Sequence, residues 1–207
     1  MKKHKIIILG IAAFLLMSLY ACKGDGGSPE PPSFESGRLT ITFDYEKQSG
    51  MASNQFAVWI EDMEGNYIKT LYATKYTANG GYKDRPDSIA LWVEKSGLAS
   101  MQKSEVDAIA GPTPKAGNLS YSWNLTDASG NAVLPGEYKF YVEGTLRWKN
   151  CVIYSGTIKI GGEAAEVTAD VAFAYEASEG YDALTGDSPE NSMIGAVTAK
   201  FEPNGGE

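Results

Sequence analysis

Histidine is nearly missing from this chain: of 207 residues one is His and two are Cys, against 18 Lys plus Arg and 26 Asp plus Glu. The one histidine, His4, stands in a start that reads as a removable export signal. Lys2, Lys3 and Lys5 come first, then an apolar run from Ile6 to Leu19, then Cys22. Cleavage before Cys22 leaves 186 residues, no histidine and a net charge of −11. A chain without imidazole holds no Ser-His-Asp triad, no Cys-His pair and no His-ligated metal. The acid excess argues against nucleic acid and anionic headgroups as partners. The apolar run of about 14 residues is shorter than the roughly 18 to 20 that a spanning helix needs. The sequence therefore predicts a protein with no catalytic activity of its own.

Leu19-Tyr20-Ala21-Cys22 resembles the bacterial lipobox, in which the cysteine becomes the lipidated first residue. Acyl chains on Cys22 tether a domain to a membrane leaflet without spanning it. Lys23 follows the cysteine, and by resemblance to the sorting rule of enteric bacteria this implies the outer membrane. Residues 1–21 thus read as a lipoprotein signal peptide. Residues 22–37 are rich in Gly, Ser and Pro and read as anchor and flexible linker. Residues 38–207 read as one domain. With Cys22 acylated, Cys151 has no disulfide partner and reads as a small buried residue on a strand.

Period two dominates that domain. Leu39, Ile41, Phe43 and Tyr45 alternate with polar residues, as do Leu119, Tyr121, Trp123 and Leu125; Phe56, Val58 and Ile60 alternate, and Tyr138 to Val142, Val152 to Tyr154, Thr157 to Ile160, Val167 to Tyr175 and Ile194 to Phe201 continue the series. Such alternation describes half-buried antiparallel strands. Glu64-Gly65-Asn66, Asp127 to Asn131, Pro135-Gly136 and Gly161-Gly162 supply turn chemistry between them. The expected fold is mainly β, an immunoglobulin-like antiparallel sandwich with a short helical insertion; a closed barrel has the same pattern. The insertion is Asp87 to Ser96, where Ile89, Trp92 and Val93 share a helical face and Gly97 caps the end. From Leu98 to Gly117 no period is sustained, which predicts a long functional loop.

Several constellations stand out as candidates for chemistry or fold. Asp107, Gly111 and Thr113 have the Asp-x-x-x-Gly-x-Thr spacing, which resembles the acceptor motif of bacterial flavin transferase substrates. There the Thr takes flavin mononucleotide (FMN) through a phosphoester, and a separate enzyme performs the transfer. Ala110 and Pro112 depart from that family's pattern. Asp127-Ala-Ser-Gly130-Asn131 followed by Pro135-Gly136-Glu-Tyr138 resembles a corner of the flagellar hook-capping protein's domain and bears on fold alone. Among Trp59, Trp92, Trp123 and Trp148, the last is the best exposed platform for a sugar, beside Arg147 and Lys149. Asp182, Asp187 and Glu190 with Asn191 lack the Asp-x-Asp-x-Asp-Gly order of a calcium loop and read as solvated. The pairs Asp44 with Glu46 and Glu61 with Asp62 have no glycosidase spacing. Asp87-Ser88-Ile89 resembles the O-glycan site of secreted Bacteroidota proteins, and the same residues also read as a helix N-cap.

Several segments together are similar to a bacterial periplasmic domain family of unknown function. They are Phe43 to Tyr45, Asn54 to Asp62, Gly65 to Leu71, Leu91-Trp92, Val106 to Ala108, Gly111-x-Thr113-Pro114 and the Pro135 to Tyr138 corner. The likeness covers Leu39 to Ile160 and brings no catalytic residues with it. It implies a secreted or lipid-anchored protein whose gene neighbours are flavin transferases and PepSY-type membrane proteins of extracytosolic electron transfer or iron handling. Many members have Gly-Ala-Thr where this chain has Gly111-Pro112-Thr113. Two functions follow as expectations. One is a redox accessory with covalent FMN on Thr113, recognised through Asp107 and Gly111. The other is an envelope module that binds a partner protein or glycan, with Trp148 and Arg147 at its surface. Neither calls for a metal.

Overall fold

The computed structural model describes residues 36–47, 54–146, 150–174 and 193–204. Ten strands form two sheets. They are β1 (Gly37–Tyr45), β2 (Gln55–Glu61), β3 (Tyr67–Thr74), β4 (Ala110–Gly111), β5 (Gly117–Trp123), β6 (Gly136–Leu146), β7 (Asn150–Ile160), β8 (Ala165–Thr168), β9 (Asp170–Ala174) and β10 (Thr198–Pro203). The smaller sheet has the order β5-β1-β10-β8 and the larger β4-β3-β2-β6-β7-β9. All pairings are antiparallel except β3 with β4. Each sheet ends in edge strands, so the architecture is a sandwich and not a closed barrel.

The alternation seen in the sequence builds the space between the sheets. Leu39, Ile41 and Phe43 of β1 and Ala199 and Phe201 of β10 meet Phe56, Val58 and Ile60 of β2 and Phe140 and Val142 of β6. Each such side chain contributes roughly 1.5–3 kcal/mol by leaving water. The run expected from Val167 to Tyr175 is not one strand. It breaks at Ala169, whose N–H donates to the Val197 carbonyl; β8 then pairs with β10 and β9 with β7, in opposite sheets. Conversely, the two runs expected at Val152 and Thr157 are one strand, β7. The expected last run is an isolated bridge at Ile194 followed by β10.

β2 is buried along its whole length, because a second core covers its other face. That core lies under the segment joining β3 to β4, which holds the short helices α1 (Lys75–Ala78), α2 (Ala90–Lys95) and α3 (Lys103–Ile109). Ala57, Trp59 and Ala73 of the sheet pack there with Ile89, Trp92, Leu98 and Val106. This double coverage explains why β2 reads Phe-Ala-Val-Trp-Ile rather than alternating polar and apolar.

The insertion differs from its expected form in two places. α2 starts at Ala90, not Asp87, because Ile89 has φ 47° and ψ 51°, a left-handed conformation that is unusual for a β-branched residue. Asp87 is therefore not the N-cap. The buried Glu143 carboxylate on β6 accepts from the N–H groups of Leu91 (3.2 Å) and Trp92 (2.8 Å) instead. Gly97 has φ 65° and ends the helix as expected. The stretch after Leu98, expected as a loop, contains α3. Its start is a capping interaction, in which the Gln102 N–H donates to the Glu105 carboxylate at 2.6 Å.

Candidate functional site

The acceptor-like residues sit where the insertion rejoins the sandwich. Asp107 lies in the last turn of α3 and is exposed, with an ion pair to Lys103 at 2.8 Å. An exposed i,i+4 pair of this kind stabilises by only a few tenths of a kcal/mol, so the Asp107 carboxylate is open to a partner. α3 ends at Ile109, and Ala110 and Gly111 pair in parallel with Ala73 and Thr74 of β3. The chain then runs without regular secondary structure through Pro112, Thr113 and Pro114 to β5.

Tyr72 of β3 fixes the path of this loop. Its hydroxyl donates to the Pro112 carbonyl at 2.5 Å. Its ring lies against the backbone of Gly111, where an added Cβ would collide with the ring edge. Gly111 is thus required for close approach rather than for a positive φ. The ring is held in turn by Tyr121, with centroids 4.8 Å apart, and by Phe56 at 5.1 Å. Burial, with the neighbouring Tyr45, pushes the Tyr72 phenol up to about 12. Tyr72 therefore remains a donor at every physiological pH. Thr113 itself is exposed, and its hydroxyl has no hydrogen-bond partner among the described residues.

A cleft of about 530 Å³ opens beside the same elements. It is lined by Ser104, Ala108 and Ile109 of α3, by Ser122 and Ala128, and by Lys69 to Leu71 of β3. Along that stretch no strand among the described residues pairs with the outer edge of β3. β4 pairs only with Ala73 and Thr74, and further back the Ala128 N–H donates to the Ile68 carbonyl. The Lys69 ammonium donates to Thr126 Oγ1 at 2.6 Å, and no described carboxylate lies within salt-bridge distance of it. Nothing in the sequence marks this cleft. Its residues come from β3, α3 and the β5–β6 turn, and no local spacing connects them.

The other sequence candidates are employed elsewhere or lie outside the described residues. Trp59, Trp92 and Trp123 are fully buried. Their indole N–H groups donate to Glu61, to Thr70 and to the Thr126 carbonyl, so none is a sugar platform. Glu61 is buried against Lys95 at 3.4 Å, and Asp62 holds a turn. Asp44 accepts from the Asn118 amide at 3.0 Å. Ser88 is fully buried, its hydroxyl 2.9 Å from that of Thr77, so the O-glycan reading of Asp87-Ser88-Ile89 fails on access. Cys151 is on β7 as expected. Cys22, Arg147, Trp148, Asp182, Asp187 and Glu190 lie outside the described residues. Among the described residues, no three of His, Cys, Asp and Glu come together as a metal site would require.

No curated protein and no solved structure matches the chain significantly. A family model does match residues 37–175, which spans all of β1 to β9 and both the acceptor-like loop and the cleft. That match covers most of the chain and supports a location outside the cytoplasm, in the cell envelope. The chain belongs to the family described as predicted periplasmic protein (DUF2271), whose function is unknown.

Proposed function

We propose that this protein is a lipid-anchored envelope accessory that carries FMN covalently on Thr113 and passes electrons to or from a membrane redox partner. The observation that carries this reading is the state of the loop. Thr113 stands exposed with an unengaged hydroxyl, on a segment pinned one residue earlier by Tyr72. A modifying enzyme needs both properties, access to the hydroxyl and a defined backbone. The Asp107 carboxylate is open beside it in sequence, as a recognition residue must be. The donor set fits an ester-linked group: the chain supplies an acceptor oxygen and no activating base, so the activation belongs to the transferase.

In the transfer, the Thr113 oxygen bonds to the FMN phosphorus of flavin adenine dinucleotide. The pyrophosphate bond breaks, AMP leaves, and the hydroxyl proton passes to a base of the transferase. Once bound, the flavin supplies the redox chemistry that the side chains lack. Cys22 as the acylated residue and the outer membrane as the site of anchoring belong to the same proposal. The exposure of Thr113 favours this reading over a partner- or glycan-binding module.

The test is co-expression with a bacterial flavin transferase and in-gel flavin fluorescence. A fluorescent band for the native chain, dark for Thr113→Ala, is expected. A dark native band, or a band that Thr113→Ala leaves bright, overturns the proposal.

A further inference from the structure

We infer that the cleft between α3 and the open edge of β3 is the docking site for the isoalloxazine ring of a flavin, with Lys69 donating to a ring carbonyl. The inference rests on the proposed modification of Thr113 for its occupant and on the cleft for its chemistry. Size comes first: about 530 Å³ falls within the roughly 300–1,000 Å³ of sites that enclose a small planar ligand. The lining suits a ring with one apolar body and one polar edge. Leu71, Met101, Ala108 and Ile109 supply apolar surface, while Lys69 and the exposed Ser104 supply polar groups.

Charge narrows the choice. Lys69 meets no described carboxylate and faces the cleft together with Glu105. Glu105 is already the acceptor for the Gln102 N–H. One cation and one anion favour a neutral heteroaromatic ring over a strongly charged ligand. Lys69 keeps a spare donor, because an ammonium has three N–H bonds and two described partners, Thr126 at 2.6 Å and Asn124 at 3.5 Å.

Reach completes the case. Ile109 lines the cleft and Thr113 follows four residues later, a span of at most roughly 14 Å of extended chain. A ring on a ribityl phosphate arm from Thr113 is therefore presented to the cleft intramolecularly. Tethering of this kind gives an effective concentration on the order of millimolar, so even weak intrinsic affinity keeps the ring docked.

Free riboflavin tests the cleft without the tether. The purified protein, never exposed to a transferase, is titrated into riboflavin up to about 1 mM, the effective concentration of the tether, and flavin fluorescence is followed. Saturable quenching is expected for the native chain and equally for Thr113→Ala. The double variant Ser104→Leu with Ala108→Leu places bulk on the exposed α3 positions that line the cleft and should abolish it. Lys69→Met should weaken binding about tenfold, the effect of losing a charge-assisted hydrogen bond. No saturable quenching by the native chain overturns the inference, and so does quenching that the double variant leaves unchanged. The two proposals fail separately. Labelling of Thr113 without riboflavin binding removes the cleft and leaves the modification, whereas riboflavin binding without labelling does the reverse.

Discussion

Gly111 and Tyr72 form the contact on which the acceptor loop depends. The Tyr72 ring occupies the space a Cβ at 111 would take, and its hydroxyl closes onto the next carbonyl. Gly111→Ala forces the ring or the loop to shift and should cost about 1–3 kcal/mol, as overpacking does. Urea denaturation measures this directly, and in a Tyr72→Ala background the same substitution should cost less, because the obstacle is then gone. A Gly111→Ala variant as stable as the native chain would show that the loop path is not set by this contact. The requirement for glycine thus has a structural cause within the chain, beside any recognition by a transferase. Spacing made Asp107, Gly111 and Thr113 legible in the sequence. Tyr72 was not legible, since it lies 39 residues from Gly111 in the chain and only the parallel pairing of β3 with β4 brings them together.

At the scale of elements, the same five-residue turn is used twice. Asp62-Met-Glu-Gly65-Asn66 and Asp127-Ala-Ser-Gly130-Asn131 each place the Asp carboxylate on the Asn backbone N–H at 2.8 Å and on its side-chain amide at 2.8 and 3.0 Å. Gly65 and Gly130 take φ 83° and 86°, which a side chain at those positions would resist. For Asp127 the Asn131 side chain holds the carboxyl below its usual value. For Asp62 burial pushes upward, and the bonds from Asn66 and the turn N–H groups outweigh it. A carboxyl depressed in the fold binds fewer protons there than in the unfolded chain. Its contribution is therefore complete above the ordinary Asp range near pH 3.9 and is lost as pH falls through the lower folded value. Asp62→Asn together with Asp127→Asn should flatten the acid limb of stability against pH, measured as the urea midpoint from pH 5 to pH 2; an unchanged limb would contradict the assignment. A second prediction concerns α2, whose first N–H groups close on Glu143. Glu143→Ala should cost about 2 kcal/mol or more, because buried donors lose a charged acceptor, and helical circular dichroism should fall with it. The strands were legible because alternation reports a half-buried face. α3 was not, although Gln102 and Glu105 have the spacing of a capping box, because Lys103-Ser104-Glu105 gives no apolar stripe. The sheet switch at Ala169 was hidden for another reason: alternation is the same on either side of a strand that changes partners.

Across the whole molecule the chain presents two layers with different tasks. The sandwich core between the sheets supports the fold, and the helical insertion covers the outer face of the larger sheet and leads through α3, with Asp107, and β4, with Gly111, to the exposed Thr113. The cleft opens where these layers meet, between α3 and the β3 edge. An exposed threonine and a half-open cleft thus come from neighbouring elements, and the proposed attachment of FMN rests on that arrangement. Intact-mass spectrometry of the protein co-expressed with a flavin transferase, followed by peptide mapping, tests this most directly. The account predicts one adduct equal to FMN less one water, on the peptide that contains Thr113 and absent from Thr113→Ala. No adduct, or an adduct mapped to any other residue, would contradict it.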